Sequence, residues 1–317
     1  MGRDGATRAE RVAAAGATPA TVGESPVWHA QEGAFYWVDI VARKIIRLHL
    51  ESGVRAEWIL PQRVACLAFG HDGGLLAGLE TGLFAVTLSA AGEAISEAAS
   101  AQPLPAQIRK LAAPSFPLPD MRFNDGRCDR QGRFWAGTMV QDNPTARAAG
   151  ELFRFDTAGT LSAPVIDGLI VQNGLAWSPD GATMYLSDSH TSQRLVWTFD
   201  YDGETGEPRN RRIFADLHHY VGRPDGAAMD ADGCYWICAN DAGRVLRFTP
   251  QGKLDRQIEL PAMKPSMCAF GGRELDTLFI TTIRPDAGAN ESDGHVFAVR
   301  PGVTGYAETP YGGALLP

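Results

Sequence analysis

The 317-residue chain is short of the features that mark several large functional classes. Positive charge is scarce: 29 Lys and Arg stand against 37 Asp and Glu, a net charge of −8. Nucleic acid and anionic membranes both select basic patches, so neither is expected as a partner. No run approaches the roughly 18 apolar residues of a membrane-spanning helix. The opening Met1-Gly-Arg-Asp-Gly mixes charges, and Arg8, Glu10 and Arg11 interrupt any apolar core of a secretory signal, so a cytoplasmic location is expected. The five cysteines (66, 128, 234, 238, 268) are odd in number and not paired in spacing, which fits a reducing compartment. Cys234 and Cys238 lie in an apolar run and read as core, not as a zinc half-site. There is no Gly-x-Ser-x-Gly elbow, Walker loop or dinucleotide fingerprint. Ser25, Ser187 and Ser189 lack a histidine in readable geometry, and His190 reads as a surface residue.

Glycine is what the chain has in surplus, 35 residues or about 11% against an average near 7%. These glycines punctuate a recurring unit of apolar residues, a Gly-bearing turn and an aromatic strand. The clearest copies are Trp28-HAQEG-AFYWVD, Phe69-GHDG-GLLAG, Cys128-DRQG-RFWAG, Trp177-SPDG-ATMYLSD, Met229-DADG-CYWICA and Phe270-GGRELDTLFITT. Asp-Gly between apolar runs is a strong hairpin signal. The marks at 28, 69, 128, 177, 229 and 270 stand 41, 59, 49, 52 and 41 residues apart. Strand repeats of about 40–50 residues indicate propeller blades. Length alone would suggest two domains at about 150 residues each. The repeats instead predict an all-β, six-bladed β-propeller of four-stranded antiparallel blades over residues 21–317. Residues 1–20 are expected to be a flexible segment. The longest step is assigned to a proline-rich insertion at about 90–121, a surface loop or lid. Trp28, Trp37, Trp135, Trp177, Trp197 and Trp236 fall in the repeats and read as blade packing rather than sugar-stacking platforms.

Four residues before each mark stand Glu24, Ala65, Asn124, Asn173, Asp225 and Ser266. This position begins the innermost strand, where equivalent residues ring a channel mouth. Four of the side chains carry amide or carboxylate oxygens. One such residue is an ordinary strand cap. Four converging on one axis repel unless a cation sits between the carboxylates. With no His or Cys in the set, the donors suit a hard divalent cation such as Ca2+, Mg2+ or Mn2+. Gly174, Gly226 and the pair Asp125-Gly126 follow the polar residues and permit close backbone approach. Arg122 precedes Asn124 by two and so shares its face. It suits an oxygen-rich substrate or a developing negative charge, or else a salt bridge to Asp120 or Asp125; Arg223 stands in the same relation to Asp225.

Glu24-Ser-Pro-Val-Trp, Arg122-Phe-Asn-Asp-Gly, Phe134-Trp-Ala-Gly-Thr-Met139, Asn173-Gly-Leu-Ala-Trp-Ser and Pro224-Asp-Gly-Ala together resemble the SMP-30/gluconolactonase/luciferin-regenerating-enzyme family over about residues 20–312. The resemblance implies a six-bladed propeller, one divalent metal and hydrolysis of a sugar lactone to the sugar acid. It implies Glu24, Asn173 and Asp225 as metal ligands, Arg122 and Asn124 as substrate contacts, and Asp225 also as general base. Asp142, just beyond the Gly-Thr-Met motif, would be a further substrate contact. Ca2+ is the first expectation for the metal, with Zn2+, Mn2+, Mg2+ and Fe2+ also compatible. The partner expected is a small sugar lactone, and the state a monomer or weak homo-oligomer. The competing readings are a metal-dependent esterase or phosphotriesterase on the same scaffold, and a non-enzymatic calcium-binding propeller.

Overall fold

In the computed structural model, residues 7–12, 18–90, 102–142 and 144–316 are described. Residues 1–6 and 13–17 of the segment expected to be flexible, and 91–101 of the insertion, lie outside them. The described residues are all-β apart from one short 3-10 turn, Leu217–His219. Most strands follow the hairpin rule, each pairing antiparallel with the next in sequence.

Six separate four-stranded blades do not form. The described residues make five hydrogen-bonded sheets, one of eight strands, one of five and three of four, in a propeller-like arrangement. Two features produce the difference. Leu104–Ala112, inside the proline-rich stretch read as a loop, is a nine-residue strand antiparallel to Gly82–Leu88. Its first two residues also pair in parallel with Arg55–Ile59, Leu104 opposite Trp58 and Pro105 opposite Ile59, and this fuses two sheets into one. Proline lacks an N–H, but at a strand end it removes no ladder bond that the sheet needs. The N-terminal stretch supplies the other feature. Thr7–Arg8 adds a parallel fifth strand to Leu254–Glu259, and Glu10–Arg11 adds the antiparallel outer strand to Phe297–Val299. Both cover an open edge.

The hairpin turns are built by their own aspartates. Asp129 accepts from the backbone N–H groups of Gln131 and Arg133, from Arg133 Nε at 2.6 Å and from Trp135 Nε1 at 3.1 Å. Asp230 does the same one sheet pair away, accepting from Cys234 N, Trp236 Nε1 and Arg247 Nε at 2.9, 2.9 and 2.7 Å. Both are fully buried, each with an arginine as counter-ion. The tryptophans pack between sheets as expected: Trp135 and Trp177 lie 6.0 Å apart, centroid to centroid, in one apolar cluster.

The first strand of each repeat faces the middle of the molecule. Gly23–His29, Val64–Phe69, Met121–Cys128, Gln172–Trp177, Arg223–Met229 and Pro265–Gly271 stand side by side in a closed ring, the last against the first.

Candidate active site at the mouth of the ring

Each inner strand slips register against its neighbour near its start: between Glu24 and Val27, Val64 and Cys66, Phe123 and Gly126, Asn173 and Ala176, Pro224 and Ala227, and Pro265 and Cys268. A bulge re-aims the side chain beside it. The position found by counting back four residues is therefore the place where each strand departs from regular pleating. Two glycines show what the departure requires. A Cβ on Gly226 would lie 2.3 Å from Met267 Cγ, and Gly174, at φ +68°, would meet Ser187 Oγ at 2.5 Å. Ser25 holds φ at +47° beside Glu24, a conformation costly for a residue with a Cβ. Its Oγ accepts from Leu67 N at 2.8 Å across to the next strand.

Glu24, Asn124, Asn173 and Asp225 share this register, and a hydrogen bond joins Asn124 directly to Asn173. Asn124 Nδ2 donates to Gln172 O at 2.8 Å and to Asn173 Oδ1 at 3.3 Å. Asn173 Nδ2 is committed to Ser189 Oγ at 2.6 Å, which turns its Oδ1 towards Asn124 and the ring. Asn240 Nδ2 donates to Asp225 Oδ2 at 2.7 Å. Arg122 NH1 donates to Asn124 Oδ1 at 2.9 Å and to Phe123 O at 2.8 Å, not to either aspartate weighed as a salt-bridge partner. Arg223 does form an ion pair, with Asp241 at 2.6 Å. Asp142 is exposed beside Gln141, and no hydrogen bond joins it to this group.

The electrostatics are unfavourable to the carboxylates. Burial first, then the charges of Asp225 and Asp125, holds the Glu24 carboxyl well above its ordinary range; Ser25 N–H and Arg122 oppose the shift. Asp225 is pushed up to about 7, again by burial first, with Arg223 and the Asn240 hydrogen bond pulling it back. Asp125, directly after Asn124, is a third buried acid raised by burial. Its Oδ2 accepts from Leu175 N, and its buried Oδ1 has no partner among the described residues.

This donor set fits a hard cation. Glu24 and Asp225 supply two carboxylates and Asn173 an oriented amide oxygen at equivalent places of the ring, and burial, the largest cause for both acids, raises their proton affinity. Among the described residues no group of three or more His, Cys, Asp or Glu is placed to hold a metal, so a cation here would depend on amide oxygens as well as on Glu24 and Asp225. Asn240, Ser189 and Asp125 were not singled out as site residues from the sequence. Asn240 is the one amide closing the otherwise apolar Tyr235–Asn240 strand, and that contrast was its only local signal.

Residues 22–284 match the model of the SMP-30/Gluconolactonase/LRE-like region. The chain is 39% identical to 6-deoxy-6-sulfogluconolactonase of Pseudomonas putida over 93% of its own length and 96% of the relative's. It is 31% identical to a pentonolactonase of Haloferax volcanii, covering 87% of each. Among solved structures, a calcium-binding regucalcin from Agrobacterium tumefaciens superposes with a TM-score of 0.83 at 26% identity, over 96% of this chain and 98% of that one.

Proposed function

The chain belongs to the SMP-30/gluconolactonase/LRE-like family and is a lactonase; on that premise we propose that it hydrolyses an aldonolactone with one divalent cation, calcium by preference, held by Glu24, Asn173 and Asp225. The observation that carries this reading is the shared register of Glu24, Asn124, Asn173 and Asp225 at the ring mouth, with Arg122 hydrogen-bonded into it. The names of the relatives support a sugar lactone as the substrate class. Calcium rests on the oxygen donors and on the regucalcin likeness.

Held by Glu24, Asn173 and Asp225, a divalent cation would supply Lewis-acid polarisation of the lactone carbonyl. Arg122 and Asn124 hold the substrate. NH1 of Arg122 is already committed to Asn124 and Phe123, which fixes the guanidinium plane and leaves its other N–H groups for ring oxygens and hydroxyls. Asp142 is assigned an outer contact to the sugar. Asp225 takes a proton from the attacking water as the carbon–oxygen bond forms. It returns that proton to the ring oxygen as the ester bond breaks, giving one carboxylic acid and one alcohol. Asn240 donates to Asp225 Oδ2 and so fixes the carboxylate orientation. The polar Arg122–Asn124 pair favours a polyol over an apolar ester.

A panel of pentono- and hexonolactones, followed by pH-indicator acidification with and without chelator, tests the reading. Lactone hydrolysis that is lost with chelator and regained with calcium is expected. Acidification of no lactone, or turnover indifferent to chelator, would overturn it.

A further inference from the structure

A second regularity lies just outside the oxygen ring. Two residues before each ring position stand Val22, Arg63, Arg122, Val171, Arg223 and Lys264. Four of these equivalent places, at the entries of the inner strands, carry a cation, each half-buried. Their counter-ions are few. Glu80 accepts from Arg63 N at 3.1 Å and lies 3.8 Å from its guanidinium. Asp241 is shared by Arg223, at 2.6 Å, and Lys264. Arg122 forms no ion pair among the described residues; it donates to Phe123 O and Asn124 Oδ1 only. Four cations therefore share two carboxylates, in a protein whose net charge is −8.

The surplus is greatest on one side. Arg63 and Arg122 sit at the entries of adjacent inner strands, and Arg63 donates to Gln141, the neighbour of Asp142. The two guanidiniums are near enough that Arg63, after burial, is the next cause lowering Arg122 to about 10. The acids facing them are Glu80, the exposed Asp142 and, deeper in the ring, Glu24 and Asp225, whose charges the proposed cation takes up. Like-charged guanidiniums side by side are unfavourable unless an anion joins them, and each offers a planar fork matched to a tetrahedral oxyanion. A neutral polyol has no use for the second fork.

We propose that Arg63 and Arg122 bind a sulfonate or phosphate carried by the sugar lactone at a carbon remote from the ester, with Arg223 and Lys264 completing a cationic collar that draws anionic substrates to the mouth. The assignment rests on the lactonase reading and names the substrate class for the same site.

The test compares kcat/KM of the calcium-loaded protein on gluconolactone, its 6-deoxy-6-sulfo analogue and its 6-phospho analogue. At low salt at least one anionic lactone is preferred by tenfold or more, and the preference shrinks as salt rises. Arg63→Gln lowers the ratio of anionic to neutral kcat/KM by about tenfold, chiefly through KM. Glu80→Gln, which removes a counter-ion, raises it. Inorganic sulfate competes with the neutral lactone in the unaltered protein, a readout that needs no variant to fold. The two anionic substrates separate sulfonate from phosphate, and preference for either supports the assignment. Neutral and anionic lactones used equally well, or an unchanged ratio in Arg63→Gln together with no inhibition by sulfate, would overturn it while leaving the lactonase reading intact. Turnover of no lactone would remove both.

Discussion

Asp225 and Asp230 lie at opposite ends of one inner strand, Arg223–Met229, and both are buried, yet their surroundings differ in kind. Asp230 is enclosed by donors: a backbone N–H, the Trp236 indole and the Arg247 guanidinium, itself only 5% exposed. Asp225 has one amide donor on one oxygen, faces other acids, and is pushed up to about 7. The same sheet thus buries one carboxylate with its charge fully paired and the other with only Asn240 on it and Arg223 acting from a distance. A compensated acid holds a turn together. An acid of the second kind is the one to which cation binding and proton transfer are assigned in the proposed function.

Exchanging the carboxylate for an amide at each end separates the two roles. Asp225→Asn should lower kcat on a lactone by about a thousandfold, within the range for a general acid–base group, with little change in the urea midpoint. Asp230→Asn should do the reverse: turnover per folded molecule is retained, while stability falls by about 3 kcal/mol in urea unfolding because Arg247 loses its buried partner. Asn240→Ala removes the hydrogen bond on Asp225 Oδ2. Because that bond lowers the Asp225 pKa, its loss should move the acidic limb of the kcat profile to higher pH and reduce kcat by about tenfold, with KM less affected. Stability of the chelated protein carries the smallest signal. Asp225 and Glu24 keep protons in the folded chain at pH values where the unfolded chain, with carboxyl pKa values of about 4, has lost them. The Asp225 contribution therefore falls as pH rises from about 4 to about 7, and that of Glu24 falls in the same direction. Asp225→Asn, or saturating calcium, should flatten the slope measured by thermal unfolding.

Much of this contrast was legible in the chain. The Asp-x-x-Gly turns at Asp129 and Asp230 are local devices, since the carboxylate bonds residues two to six positions on, and so they announce themselves in sequence. The ring position followed because each polar residue keeps a constant distance from its turn. What depends on lateral neighbours was not legible. Asn240 reaches Asp225 only because Arg223 pairs with Asn240 across two strands, and Ser189 reaches Asn173 from the next strand's end. The expectation of six separate four-stranded sheets failed for a similar reason. Prolines at 103, 105, 114, 117 and 119 read as loop, whereas Leu104–Ala112 alternates half-buried and exposed residues over most of its length and is held between two edges distant in sequence. Arg63 and Lys264 precede their strands, outside the repeated motif, and their meaning lies in sharing few counter-ions with residues remote in the chain.

Calorimetric titration of calcium into the metal-free protein and into Glu24→Gln at pH 6.5, in two buffers of different ionisation enthalpy, addresses Glu24 and Asp225 directly. One ion bound per chain, with net proton release from the raised carboxyls, and binding lost in Glu24→Gln, is the predicted result. Equal binding by both proteins, or no binding by either, would contradict it.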